Sequence, residues 1–279
     1  MGITQALVAG IIQGVTEFIP VSSSGHLVVY RALTGQSGDS ALGFTVLLHL
    51  ATLLSVCVVF YKDIISLVCE FFYCIRDLFI GQCSFKTPPR RFLLMVIVGT
   101  IPAAVIGVTV KLLDLDHLLD NIFVTATFFI VTAVFMFSID KIKEGPHDAA
   151  TAPFKSSVVV GLLQAVAVVP GLSRSGSTLF GARLSGLNKE FAVKYAFILS
   201  IPVILGAGLV EGAGLVRAGL HGVEPLNWAA GFAAAFACGV VSIKFIKYLV
   251  RVNKFFIFGV YCLFASAAAF IVGAVANAI

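Results

Sequence analysis

Gln13-Gly14-Val15-Thr16-Glu17-Phe18-Ile19-Pro20-Val21-Ser22-Ser23-Ser24-Gly25-His26 interrupts an apolar stretch running from residue 3 to residue 34. A second apolar stretch, 156 to 186, is interrupted in the same way by Pro170-Gly171-Leu172-Ser173-Arg174-Ser175-Gly176-Ser177-Thr178. Neither half of either stretch reaches the length of about 20 helical residues needed to cross a hydrocarbon core. Each stretch therefore reads as two half-helices joined by a polar loop at membrane depth. Irregular backbone persists there only against protein or water, because lipid cannot pair with its N–H and C=O groups. The two breaks are thus expected to face each other inside a helical bundle. They also align with each other: at an offset of 151 residues, Gly10, Gln13, Ser22, Ser24 and Gly25 meet Gly161, Gln164, Ser173, Ser175 and Gly176, with Pro20 and Pro170 slipped by one.

The remainder of the chain fits this setting. Of 279 residues, 59% are hydrophobic and 12% charged, against roughly 25% charged in a soluble domain, and the mean hydropathy is +1.04. Unbroken apolar runs near 41–61, 92–112, 121–140, 190–210, 227–247 and 255–277 predict six full spans. Transmembrane β-barrels alternate apolar and polar residues over segments of about ten, and that pattern is absent. The net charge of +5 does not form one soluble basic face, which excludes nucleic acid as the main partner.

The segments 62–91, 141–155, 183–194 and 244–254 hold fifteen of the nineteen Lys and Arg, and are expected on the cytoplasmic side. Three spans follow each broken stretch, so the second copy enters the membrane upside down. The predicted fold is all-α and polytopic, a single membrane domain over 1–279. It is an inverted repeat (repeat 1 about 1–150, repeat 2 about 151–279) of a re-entrant hairpin plus three spans, with the hairpin tips meeting near the midplane.

Between Lys62 and Ile80, apolar residues at helical spacing predict a cytoplasmic surface helix. The six cysteines, Cys57, Cys69, Cys74, Cys83, Cys238 and Cys262, form no CxxC pair and read as reduced thiols. The stretch Met1 to Glu17 lacks the basic start and small-residue cleavage site of a signal peptide. No soluble domain is expected at either end. No Walker A loop, HExxH or zinc cluster is present.

Chemistry concentrates at the two tips. Arg174 is the only Lys or Arg in the two quoted motifs and Glu17 their only acid, and embedded ionisable groups are costly enough to imply function. A purely structural pairing of the two is the competing explanation. Their company favours function: Ser22, Ser23, Ser24, Ser173, Ser175, Ser177 and Thr178 supply hydroxyls, and Gly25 and Gly176 let backbone approach a ligand. Each serine cluster lies at the start of a half-helix, where unpaired N–H groups and the helix dipole favour an anion. With a guanidinium between hydroxyls, the site suits phosphate. His26 is placed to act as proton donor, acceptor or nucleophile. His49, within the first span, is either a supporting partner or a helix-packing residue. His117, His147 and His221 fall in loops and receive no role.

The two quoted motifs resemble the signatures of the undecaprenyl-pyrophosphate phosphatases of the bacitracin-resistance type, and length and hydropathy are similar across the whole chain. The resemblance implies hydrolysis of undecaprenyl diphosphate to undecaprenyl phosphate and phosphate in the bacterial plasma membrane, with the site open to the outside. It implies Glu17, Ser23, His26 and Arg174 as catalytic residues, with Gln13, Ser22, Ser24, Gly25, Ser173, Ser175, Gly176, Ser177 and Thr178 around the substrate. It also implies a divalent cation, Mg2+ or Ca2+, with Glu17 as its ligand. One position departs from the pattern: Gln13 stands where the family often carries glutamate, which removes one carboxylate from such a metal site. The expected partner is a prenyl diphosphate lipid, with a second copy of the chain in a homodimer as a further candidate. A lipid-phosphate carrier is the rival from another class, since inverted repeats with re-entrant hairpins also build transporters. A carrier needs no nucleophile, so Glu17, Ser23 and His26 favour hydrolysis.

Overall fold

Each apolar stretch that the sequence interrupts folds as two short helices. The first gives α1 (Ile3–Thr16) and α2 (Ser23–Thr34); the chain continues through α3 (Asp39–Val59), α4 (Tyr61–Phe79), α5 (Pro88–Leu112) and α6 (Ile122–Ile139). The second gives α7 (Phe154–Val166) and α8 (Arg174–Leu184), followed by α9 (Lys189–Ala218), α10 (Pro225–Val252) and α11 (Phe256–Ala278). The computed structural model describes every residue except 37–38, 82–86, 114, 116–120, 219–223, 253 and 279, and no side chain at 39–42, 214–218 or 277–278. Cys83, His117 and His221 lie outside the described residues; Cys57, Cys69, Cys74, Cys238 and Cys262 are free thiols.

Local chemistry sets the helix boundaries. The hydroxyls of Ser22 and Ser173 accept from the backbone N–H of Gly25 and Gly176 at 3.3 and 3.1 Å, capping α2 and α8. Asn121 caps α6 through Phe123 N–H at 2.8 Å, and Pro88 begins α5, where its missing N–H costs nothing. Gly35 ends α2 at φ +66°, a left-handed conformation open to glycine.

Among the described residues five helices, α5, α6, α9, α10 and α11, are each long and apolar enough to cross a bilayer. The expected sixth span, 41–61, falls on α3, whose segment Gly43–Val59 passes the same test together with α4, from which it is bent by 89°. The bend sets α4 at a steep angle to α3, and ion pairs hold it there. Arg90 at the start of α5 reaches Asp77 at 2.8 Å and Glu70 at 3.1 Å, while Lys194 of α9 reaches Asp63 at 2.8 Å. The charged side of α4 thus faces the protein, leaving Ile65, Val68, Phe72 and Phe79 exposed.

Packing between the long helices relies on small residues and hydroxyls rather than on bulk alone. Helix α1 lies against α10, α7 against α5, α6 against α11, and α3 against both α9 and α10. A Cβ on Gly10 would collide with the Gly231 carbonyl oxygen, and one on Gly161 would sit 2.5 Å from the Gly99 carbonyl oxygen. Hydroxyls bridge helices directly: Ser55 donates to Phe236 O at 2.9 Å, Ser266 to Ala126 O at 2.7 Å and Tyr195 to Met95 O at 2.8 Å. Gly161→Ala should therefore destabilise the fold by about 1–3 kcal/mol through overpacking. Gly107→Ala, with nothing within 4 Å of its added Cβ, should be neutral or gain up to about 1 kcal/mol from helix propensity. Thermal unfolding of both variants in detergent checks this; equal effects would mean that the α5–α7 approach is loose.

Candidate active site

The break after α1 brings Glu17 to the floor of a cleft shared with Phe18, Arg174, Ser175, Thr178, Ala196, Phe197 and Ser200. Glu17 is buried, and both carboxylate oxygens are engaged. Oε1 meets Arg174 Nη2 at 3.1 Å. Oε2 accepts from Ser23 Oγ at 2.5 Å and from Gln13 Nε2 at 2.9 Å, and the His49 Nε2 stands 3.9 Å from the same oxygen. Helical spacing explains the Gln13 contact, since residues four apart share a face; the break is what folds Ser23 back onto Glu17.

Arg174 is the first residue of α8, a position where a cation is disfavoured because the helix dipole is already positive there. The start of α2 lies close by: a Cβ on Gly25 would come within 3.0 Å of the Gly171 Cα. Two helix N-termini and a guanidinium thus converge around one carboxylate, a positive excess that suits a multiply charged anion.

The sequence-predicted hydroxyls divide by occupation. Ser22 and Ser173 are spent on capping, and each also stands beside its neighbour, Ser22 Oγ to Ser24 Oγ at 3.3 Å and Ser173 Oγ to Ser175 Oγ at 3.2 Å. Thr178 donates to the Arg174 carbonyl at 2.8 Å, and Ser177 is fully buried with no hydrogen-bond partner for its hydroxyl. Ser23 alone binds the carboxylate. Gly176 packs against Ser173 and Met136. Thr132 on α6 steadies the second break, donating to Gly171 O at 2.8 Å and accepting from Ser173 N–H at 3.0 Å.

His26 does not join the Glu17 cluster in this state. Its Nδ1 meets the Ser22 carbonyl at 2.7 Å and its Nε2 the Tyr261 hydroxyl at 2.7 Å. His49 satisfies both expectations at once, with Nδ1 on its own helix at Thr45 O, 2.9 Å, and Nε2 toward Glu17. His147 is held structurally, pairing as an isolated bridge with Leu187. Tyr261, Thr132 and the cleft wall at Phe197 and Ser200 were not legible as site residues, because they lie on apolar helices with no motif around them.

Among the described residues no group of three or more His, Cys, Asp and Glu could hold a metal ion. A hard cation would draw on the Glu17 carboxylate and the Ser23 hydroxyl, both already hydrogen-bonded, and on the Gln13 Oε1, which is buried without a partner. Such a set fits Mg2+ in the mode where substrate phosphates and waters complete the shell, and does not form a dedicated cage.

The model of the family described as bacitracin resistance protein BacA matches residues 6–268. Among relatives, the undecaprenyl-diphosphatase of Methanosphaera stadtmanae is 36% identical over 268 residues, spanning 94% of this chain and 95% of its own length. That of Alkaliphilus metalliredigens is 38% identical over 259 residues, 92% of this chain and 94% of its own. That of Thermosipho melanesiensis is 37% identical over 270 residues, 96% and 99%. A match over nearly the whole chain, with Glu17, Ser23 and Arg174 gathered at two converging helix starts, places this chain in the BacA family.

Proposed function

We propose that this chain is an undecaprenyl-diphosphatase, which hydrolyses undecaprenyl diphosphate to undecaprenyl phosphate and inorganic phosphate. The observation that carries the reading is the Ser23 hydroxyl held 2.5 Å from a buried carboxylate, beside Arg174 and two helix N-termini. A carrier would need the cationic pocket but not a nucleophile paired with a base.

The geometry supports a two-step displacement. Ser23 Oγ attacks the terminal phosphorus while its proton passes to Glu17 Oε2. The bond from that phosphorus to the bridging oxygen breaks, and undecaprenyl phosphate leaves with the bridging oxygen. Glu17 gives that proton to the departing phosphate; water then attacks the phosphoserine as Glu17 takes a proton from it, the bond from phosphorus to Ser23 Oγ breaks, and Glu17 returns the proton to Oγ, releasing phosphate and the free Ser23 hydroxyl. Arg174 and the N–H groups at the starts of α2 and α8 stabilise charge on the equatorial oxygens, the main requirement of phosphoryl transfer. Glu17, not His26, is the base within reach of the hydroxyl. A divalent cation, when bound, would be held by Glu17 with Gln13 and Ser23, and would supply further charge neutralisation at the phosphates.

The same reading includes the inverted repeat, a place in the plasma membrane and a site open to the outside. Helix pairing supports the repeat: α1 on α10 matches α7 on α5, and α2 on α11 matches α8 on α6. Each of the first two pairs has a glycine-to-glycine crossing, Gly10 on Gly231 and Gly161 on Gly99. The basic segments support the orientation.

Purified protein in detergent with undecaprenyl diphosphate should release phosphate, although no bilayer remains to be crossed. Binding without release would favour the carrier. The metal arm is tested by Gln13→Glu. This variant replaces the amide that donates to Glu17 with a second carboxylate, a repulsion relieved only by a cation. Phosphate release by the variant should fall without added Mg2+, and half-saturation should occur at lower Mg2+ than in the wild type. An unchanged cation dependence would remove metal from this helix.

A further inference from the structure

Tyr261 sits on α11, 235 residues beyond His26, yet its hydroxyl is 2.7 Å from the His26 Nε2, and the two rings stack with centroids 5.6 Å apart and 9° between planes. Phe129 meets the other part of the imidazole edge-on at 5.3 Å. The His26 tautomer follows from its second bond. Nδ1 faces the Ser22 carbonyl at 2.7 Å, and a carbonyl oxygen only accepts, so Nδ1 carries the proton. In the neutral ring Nε2 is then a lone pair, and the Tyr261 O–H donates to it.

This pair bears on the nucleophile through Ser22. Ser22 has φ 69° and ψ 93°, the only non-glycine residue at positive φ among the described residues. Such a conformation costs of order 1–3 kcal/mol and persists only where the surroundings over-determine it. Three bonds do so here: the Ser22 carbonyl accepts from His26 Nδ1 at 2.7 Å and from His26 backbone N–H at 3.2 Å, and the Ser22 hydroxyl caps Gly25. The next residue is Ser23, whose hydroxyl lies on Glu17. A continuous run of bonds therefore leads from α11 to the reacting oxygen: Tyr261 to His26, His26 to the Ser22 carbonyl, and the Ser22 turn to Ser23.

We propose that Tyr261 is a positioning residue of the reaction centre: through His26 it locks the strained Ser22 turn that aims the Ser23 hydroxyl at Glu17. Tyrosines are also common at membrane interfaces, ring in lipid and hydroxyl toward water. Tyr261 departs from that pattern because its half-exposed ring turns the hydroxyl inward onto a histidine. The role ties the last helix of the chain to the first hairpin, so the nucleophile is set by both ends of the sequence. Its kinetic consequence rests on the hydrolase reading; the His26–Tyr261 bond itself does not.

The test uses Tyr261→Phe, which removes one oxygen and keeps the stacked ring, with His26→Gln and the double variant. In full-length protein labelled with 15N-histidine, above about pH 8 and so well past the usual histidine value near 6.5, the His26 Nε2 resonance is identified by its loss in His26→Gln. In Tyr261→Phe it should move toward the position of an unbonded lone pair. Phosphate release from undecaprenyl diphosphate should show kcat lowered about tenfold to 100-fold, since small misplacements of a reacting group cost that much, with KM within about twofold. Adding Tyr261→Phe to His26→Gln should cause no further loss, because the two act in series. An unmoved Nε2 resonance, an unchanged kcat, or losses that multiply in the double variant would each overturn the proposal. If wild-type protein releases no phosphate while the resonance still moves, the hydrolase reading fails and the positioning role for that reaction falls with it, leaving only the bond.

Discussion

Glu17→Gln should lower phosphate release by about 10³-fold or more while leaving phosphate binding intact. The carboxylate is the base that accepts from the Ser23 hydroxyl, and a positioned base is worth about 10²–10⁴-fold. The amide keeps the size of the side chain, and its oxygen still accepts from Ser23 and Gln13, so the local packing survives. Arg174 loses its anionic partner at 3.1 Å, which leaves the site more positive. Inorganic phosphate should therefore bind as well as in the wild type or better, even as turnover disappears. Breaking a buried pair also destabilises, by about 3–5 kcal/mol when both groups are fully enclosed; the Arg174 side chain is 23% exposed, so the loss belongs below that range. Thermal unfolding alongside kinetics separates the two effects. Substantial turnover in this variant would mean that Glu17 serves only to hold Arg174.

Arg174→Ala should cost about 10³–10⁵-fold in turnover, the range for an arginine that stabilises a transferring phosphoryl group. Arg174→Lys should recover little. One guanidinium N–H is committed to Glu17, and the remaining donors lie in a rigid plane that can grip two phosphate oxygens together. An ammonium is a point charge that must choose between Glu17 and the substrate. Because Arg174 opens α8, its loss also removes the cation that offsets Glu17, and a neutral variant leaves the carboxylate facing an incoming diphosphate. Substrate affinity and kcat should therefore fall together in the alanine variant. A lysine variant with near-normal kinetics would show that charge alone, not the forked geometry, is required.

The residues of the candidate site were legible in the sequence because polar residues stand out against an apolar background. Glu17 and Arg174 are conspicuous within apolar stretches, and the two serine-capped half-helices follow from Pro, Gly and Ser placed inside them. The helix after Phe60 was legible from its apolar spacing. What was not legible depends on three-dimensional proximity between ordinary residues. The 89° turn between Val59 and Tyr61 has no proline or glycine to announce it; ion pairs of Asp63, Glu70 and Asp77 with distant partners hold it. Tyr261 lies in an apolar helix whose sequence reads as a plain span. The division of the hydroxyls between capping and chemistry was equally hidden, since Ser22, Ser23 and Ser24 are adjacent and identical, and only the left-handed turn at Ser22 decides that Ser23 meets the carboxylate.

The central claim, that Ser23 and Glu17 together cleave a diphosphate held by Arg174, is tested most directly by phosphate release from undecaprenyl diphosphate by purified wild type and Ser23→Ala under saturating substrate. The expected result is steady release by the wild type and a loss of about 10³-fold or more in Ser23→Ala, the scale on which removing a nucleophile acts. Unfolding temperature should stay close to wild type, because the Ser22 cap and the Glu17–Arg174 pair remain. Release by Ser23→Ala within a few fold of the wild type would contradict the account and assign the attack to water.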